Sequence, residues 1–161
     1  ILNSMHPSRR VHFSTRTRFA MQMMVDLAVY GSEGNVKIKD ISRRQDISVK
    51  YLEQIITALN KAGYVKGERG PQGGYRLGMR PDKITAGMVI RLMEGSHSGS
   101  ETDAPLKGEC PWIAKCVDIG LWEKINGSVD EILDGTTVAD LVDLAKRNGY
   151  LEAVSSPEYF I

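Results

Sequence analysis

Between residues 48 and 61 the chain reads SVKYLEQIITALNK, and its apolar residues Leu52, Ile55, Ile56 and Leu59 recur at the spacing of one helical face. Ser48 is placed to cap that helix and Gly63 to end it. The opposite side carries Lys50, Tyr51, Glu53, Gln54 and Thr57, a row of hydrogen-bond donors and acceptors suited to a base-edge surface. A shorter helix over residues 39–45 precedes it across Asp46-Ile47, which is the spacing of a helix-turn-helix. YVKGERGPQGGYRLG follows, an alternating strand, a Gly/Pro turn and a short strand over residues 75–77. The pattern predicts a mainly α fold with a small β-hairpin wing, a winged helix-turn-helix.

The flanking pattern completes the architecture. Residues 14–30 form a first helix capped by Ser14, with Ala20, Met23, Met24, Leu27 and Ala28 facing inward. Val36-Lys37-Ile38 is a short extended entry into the second helix, anchored by Ile41 and Ile47 and studded outside by Lys39, Arg43 and Arg44. Past Pro81, residues 84–94 make a helix with Thr85 as N-cap and Met88, Val89 and Leu92 buried. GSHSGSETDAPLKGE is a long polar loop, of the kind that carries function or disorder.

Pro111 then suits the start of a long helix running to about Leu133. Its row of Ile113, Val117, Leu121, Ile125, Val129 and Leu133, joined by Trp122 and Ile132, is longer than a small winged helix can cover. That row predicts packing against a second copy, hence a homodimer reading a palindromic site. A short helix capped by Thr136 or Thr137 runs to about Lys146. The expected organisation is a leader at 1–10, a DNA-binding domain at 11–94, an effector loop at 95–111, dimerisation and short helices at 112–147, and a tail at 148–161.

Charge sharpens this division, although the net charge of the 161 residues is +1. Residues 9–80 hold 14 Lys/Arg against 6 Asp/Glu, whereas residues 81–161 hold 7 against 14. The basic half is the half with the helix-turn-helix, as a polyanion-facing end requires. No apolar run is long enough to span a membrane, and the first ten residues lack the apolar core of a signal peptide. Two cysteines make a poor disulfide framework, so the cytoplasm is the expected compartment.

Within this frame Arg16 and Arg18 oppose the dipole of the first helix and so suit a phosphate, while Lys39 and Arg43 suit backbone positioning. Arg69-Gly70-Pro71 forms a narrow tip, with the arginine that a minor groove's potential attracts. A phosphate loop is excluded, because neither a Lys-Ser/Thr pair nor a helix start follows the glycines. No nucleophile-base pair, complete metal quartet or nucleotide loop supports an enzyme, so the remaining rival to a DNA reader is a protein-docking winged helix.

The runs FSTRTRFAMQMMVDLA, ISRRQDISVKYLEQIITALNKAGYVKGERGPQGGYRLG, ITAGMVIRLMEG and LWEKINGSVDEILDGTTVADLV resemble the Rrf-type family of bacterial winged-helix transcription regulators, IscR-like and CymR-like members included. The resemblance implies a homodimer on operator DNA, with Lys50, Tyr51, Glu53 and Gln54 facing base edges and Arg69, Gly70 and Pro71 in the minor groove; Ser48 and Thr57 complete the expected DNA-binding set. Glu53 would accept from cytosine N4 and so select rather than bind.

The resemblance also implies a [2Fe-2S] site in some members, built on three cysteines at six-residue spacing plus a fourth ligand. Cys110 and Cys116 match the last two; Ala104 stands at the first and Ile119 where a histidine stands in a cluster-binding member. The ligand set is therefore incomplete. Six positions on one helix separate two thiols by about 240°, so they share a metal only if Cys110 sits in the loop before the helix. A helix N-terminus lowers a thiol pKa, which leaves a thiol switch open beside the cluster. His12 and His97 could supply ligands from elsewhere, although lone histidines near termini and in loops are more often solvated. The alternative is a cluster-free regulator answering to a partner protein or small effector, and the remote one a metal or redox enzyme.

Overall fold

The computed structural model describes residues 13–95, 116, 120, 121 and 123–151. Helix α1 (Thr15–Tyr30) starts where Ser14 accepts from the Thr17 amide, and it turns Ala20, Met23, Met24 and Leu27 into the core. Helix α2 (Ile38–Gln45) stops at Asp46, whose left-handed φ of 54° folds the chain back into α3 (Val49–Lys61). The short turn is held by Ile47 N–H donating to Ser42 O, while the Ser42 hydroxyl donates to Ile47 O. Asp is among the few non-glycine residues that tolerate this backbone.

Ser48 caps α3 by accepting from Tyr51 N, and Leu52, Ile55, Ile56 and Leu59 are all buried. Each such burial stabilises the fold by about 1.5–3 kcal/mol, which is why this face and not the polar one turns inward. Strands β1 (Val65–Glu68) and β2 (Gly74–Leu77) pair antiparallel with Val65 opposite Leu77 and Glu68 opposite Gly74. The expected extended entry is the third line of this hairpin: Val36 exchanges both backbone bonds with Tyr75 at 2.8 Å.

A 3-10 turn at Pro81–Lys83 leads into α4 (Ala86–Glu94), capped as expected by Thr85. The expected inward set needs correction, since Val89, Ile90 and Met93 are buried whereas Met88 and Leu92 are half-buried. At 100° per residue Met88 falls on the opposite side of α4 from Ala86, Val89, Ile90 and Met93, and there its sulfur accepts from the Thr85 amide at 3.5 Å. Helix α5 (Glu123–Gly135) and helix α6 (Val138–Arg147) close the described chain. The starts of α4 and α6 are stitched by Ala86 N to Thr136 O and Val138 N to Ile84 O, both 2.8 Å. Arg91 forks onto Asp134 at 2.7 and 3.0 Å and so ties α4 to α5. Gly87 lies beneath this pair, and a Cβ there would stand 2.3 Å from Asp134 Oδ1 and oblige that exposed carboxylate to shift.

The long helix expected from Pro111 lies mostly outside the described residues before Glu123. Within them, Cys116 is helical and Gly120-Leu121 form a wide π turn. None of the α5 residues is buried: Ile125, Val129 and Leu133 are half-covered, Leu121 is 48% exposed and Ile132 66%.

Candidate nucleic-acid interface

With its apolar row buried, α3 presents Ser48, Lys50, Glu53, Gln54 and Thr57 to solvent. The Thr57 hydroxyl donates back to Glu53 O at 2.6 Å. Tyr51 differs from its neighbours, being half-buried with its ring edge-on to Phe19 at 5.7 Å. That contact sets the beginning of α3 beside α1, whose Arg16 and Arg18 are exposed. Such edge-to-face packing adds about 0.5–1.5 kcal/mol beyond burial.

On α2, Lys39 and Arg43 are exposed, and Arg43 makes an i,i+3 pair with Asp40 at 3.0 Å. With a 70% exposed side chain that pair is weakly held, so a phosphate can displace the carboxylate at little cost. Arg44 is a correction to the expected outer face. It forks onto buried Asp26 at 3.0 and 2.6 Å, and its guanidinium lies 4.0 Å over the Tyr30 ring. Gln45 donates to the same carboxylate at 3.0 Å, so Asp26 joins both residues of α2 to α1. Arg44 therefore holds the helix-turn-helix together instead of facing a partner.

At the hairpin tip Arg69, Gly70 and Pro71 are exposed. Gly70 has φ +107°, and Gly73 N–H donates to Gly70 O at 2.9 Å to close the turn. A side chain on Gly73 would meet Glu68 O at 2.3 Å, so the tip can narrow only with glycine there. Lys66 and Arg76, which the sequence reading passed over, stand directly opposite each other across β1 and β2. Like charges so placed repel, a cost offset by an anion in front of them or a carboxylate beside them. Glu68 supplies part of that at 3.1 Å from Arg76. Only the observed register, with Glu68 opposite Gly74, brings this pair face to face.

Glu68 also accepts from Asn35 Nδ2 at 2.8 Å. This hydrogen bond first, then the charge of Arg76, lowers the Glu68 pKa below the ordinary carboxylate value. Asn35 reaches on to Gln72 O at 3.2 Å, and Lys37 donates to Pro71 O at 2.8 Å.

Cys116 is exposed, while Cys110, Ala104 and Ile119 lie outside the described residues. Among the described residues no group of three His, Cys, Asp or Glu is gathered to hold a metal. No helix among them is long and apolar enough to cross a membrane.

Residues 13–144 match the Rrf2 family, described as iron-dependent transcriptional regulator. The HTH-type transcriptional regulator IscR of Aliivibrio salmonicida is 39% identical over 129 residues, covering 80% of this chain and 76% of that protein. CymR of Bacillus subtilis is 40% identical over 131 residues, 80% of this chain and 87% of that one. Among solved structures, B. subtilis CymR, titled the global cysteine regulator, superposes with a TM-score of 0.72 at 41% identity, covering 84% of this chain and 98% of that one. T. potens IscR gives 0.68 at 40% identity, covering 86% and 90%.

Proposed function

From the premise that this chain belongs to the Rrf2 family of transcriptional regulators, and so is a DNA-binding regulator and not an enzyme, we propose that it acts as a cytoplasmic homodimer on a palindromic operator. The observation that carries this reading is α3, which buries its whole apolar face and leaves Lys50, Glu53, Gln54 and Thr57 bare beside a basic hairpin. Lys50 and Gln54 reach base edges, Glu53 selects cytosine, and Ser48, Tyr51 and Thr57 border them. Arg16, Arg18, Lys39 and Arg43 meet phosphates, while Arg69, Gly70 and Pro71 enter the minor groove. The half-covered row on α5 pairs with its copy and sets two α3 helices about one duplex turn apart, ~34 Å.

Gel shift of the full chain on duplexes selected from a random pool tests this. Affinity should fall steeply with salt, and Lys50→Glu or Arg69→Glu should each weaken binding by more than about tenfold while folding and dimerisation persist. Salt-independent binding would refute the reading.

The residues present do not fit a [2Fe-2S] cluster within one chain. Cys110 and Cys116 supply two thiolates, Ala104 and Ile119 supply no donor, and no other metal-holding group occurs among the described residues. Regulation then rests on the thiol state of these cysteines or on a partner protein or small effector. The exposure of Cys116 supports the thiol reading, and a Staphylococcus aureus CymR, 31% identical, is known in an oxidised form. Oxidation followed by thiol counting and gel shift decides: a change in affinity that Cys116→Ser abolishes supports the switch. Iron and visible absorption in protein purified without oxygen would refute the cluster-free reading.

A further inference from the structure

The wing does not hang from its strands alone. Val36 adds a backbone pair to β2, and its neighbours on both sides grip the hairpin's far end. Asn35 Nδ2 donates to Glu68 at the end of β1 and to Gln72 O in the turn, and Lys37 Nζ donates to Pro71 O next to the tip. The acceptors of these three side-chain bonds lie within three residues of Arg69, and both donors, Asn35 and Lys37, lie just before α2.

The arrangement is costly, which argues that position matters here. Asn35 Oδ1 is buried with no partner, so the amide is turned to spend both donor bonds on the wing. Gly74, at φ +146°, admits the close approach, since a Cβ there would stand 2.6 Å from Val36 O. Lys37, a cation on a basic face, spends a bond on a neutral carbonyl rather than standing free.

We propose that Asn35 and Lys37 are positioning residues for minor-groove readout, bracing the Arg69 tip against α2 so that wing and recognition helix meet DNA as one rigid body. This rests on the DNA-reader assignment above and deepens it. An arginine held at a fixed depth discriminates groove width, and hence A·T-rich from G·C-rich flanks. A tip free to swing reaches either groove but loses that discrimination, because it must be ordered on binding.

The test uses the full-length protein on a selected duplex and on the same duplex with its flanks, outside the α3 positions, changed from A·T to G·C. Wild type should prefer the A·T flanks by about tenfold. Asn35→Ala should cut that preference to about twofold with little change on the G·C duplex, and should have no further effect in an Arg69→Ala background. Lys37→Met, an exposed substitution, should act in the same direction and decides the matter should Asn35→Ala lower the melting temperature into the assay range. Preference retained in these variants, or affinity lost equally on both duplexes, overturns the brace while leaving the DNA reader standing. A wild type that binds neither duplex overturns the reader and the brace together.

Discussion

Asp26 shows how one side chain can organise a reading head. It is buried, and its carboxylate is held by Arg44, whose own side chain is 17% exposed, and by Gln45. Asp26→Ala strands a largely covered guanidinium, so a loss of about 2–3 kcal/mol is expected in urea denaturation, below the cost of a fully buried pair because Arg44 keeps some access to water. In sequence, Arg43 and Arg44 are indistinguishable neighbours. Their roles separate only because Asp26, eighteen positions away on another helix, lies within reach of one of them.

Glu68 gives the pH-dependent case. Its folded pKa is below the ordinary carboxylate value, so the unfolded chain takes up protons first as pH falls, and the contribution present above that ordinary value is lost as pH drops through the lower folded one. Glu68→Gln should therefore lower the melting temperature slightly at neutral pH and leave it unchanged in acid, so that the two profiles converge as pH falls.

Elements carry the next level. The capping Thr137 accepts from the Asp140 amide while Asp140 accepts from the Thr137 amide, which also holds the Asp140 carboxyl below its ordinary range. Thr137→Ala should cost about 1 kcal/mol, read as a lowered urea midpoint at unchanged slope. Caps of this kind are why α1, α3, α4 and α6 were legible: Ser14, Ser48, Thr85 and Thr137 each precede a helical apolar row. What escaped was what short pieces do at a distance. Val36 sits in a stretch too brief for any periodicity, and its partner Tyr75 is set by tertiary packing. Met88 and Leu92 lie on the side of α4 away from the arc of Ala86, Val89, Ile90 and Met93, and the phase of so short a helix is set by what it packs against. The α3 face was readable residue by residue, whereas the grip of Asn35 and Lys37 on the wing was not, since neither belongs to a recognisable motif.

For the whole molecule, the decisive property is the incompletely covered row on α5. Leu121 and Ile132 leave substantial apolar surface to water, and Ile125 and Val129 are only half-covered by the chain's own elements. If α5 carries the proposed dimer, Val129→Asp should give a monomer by analytical ultracentrifugation with its α3 and wing intact. Operator affinity should fall by about 100-fold or more, since two linked heads gain 10²–10⁴ over one.

The other long-range feature is Glu94. Its Oε1 accepts from Ser14 N and the Ser14 hydroxyl at 2.8 Å and from the Thr17 hydroxyl at 2.5 Å, and it is the last residue of α4. The last residue of α4 thus moors that helix to the root of α1, at the point where the chain leaves through Gly95. Glu94→Ala slips that mooring, and deuterium should then enter the amides of Thr17 and Arg18 sooner than those of Ile90 or Leu92.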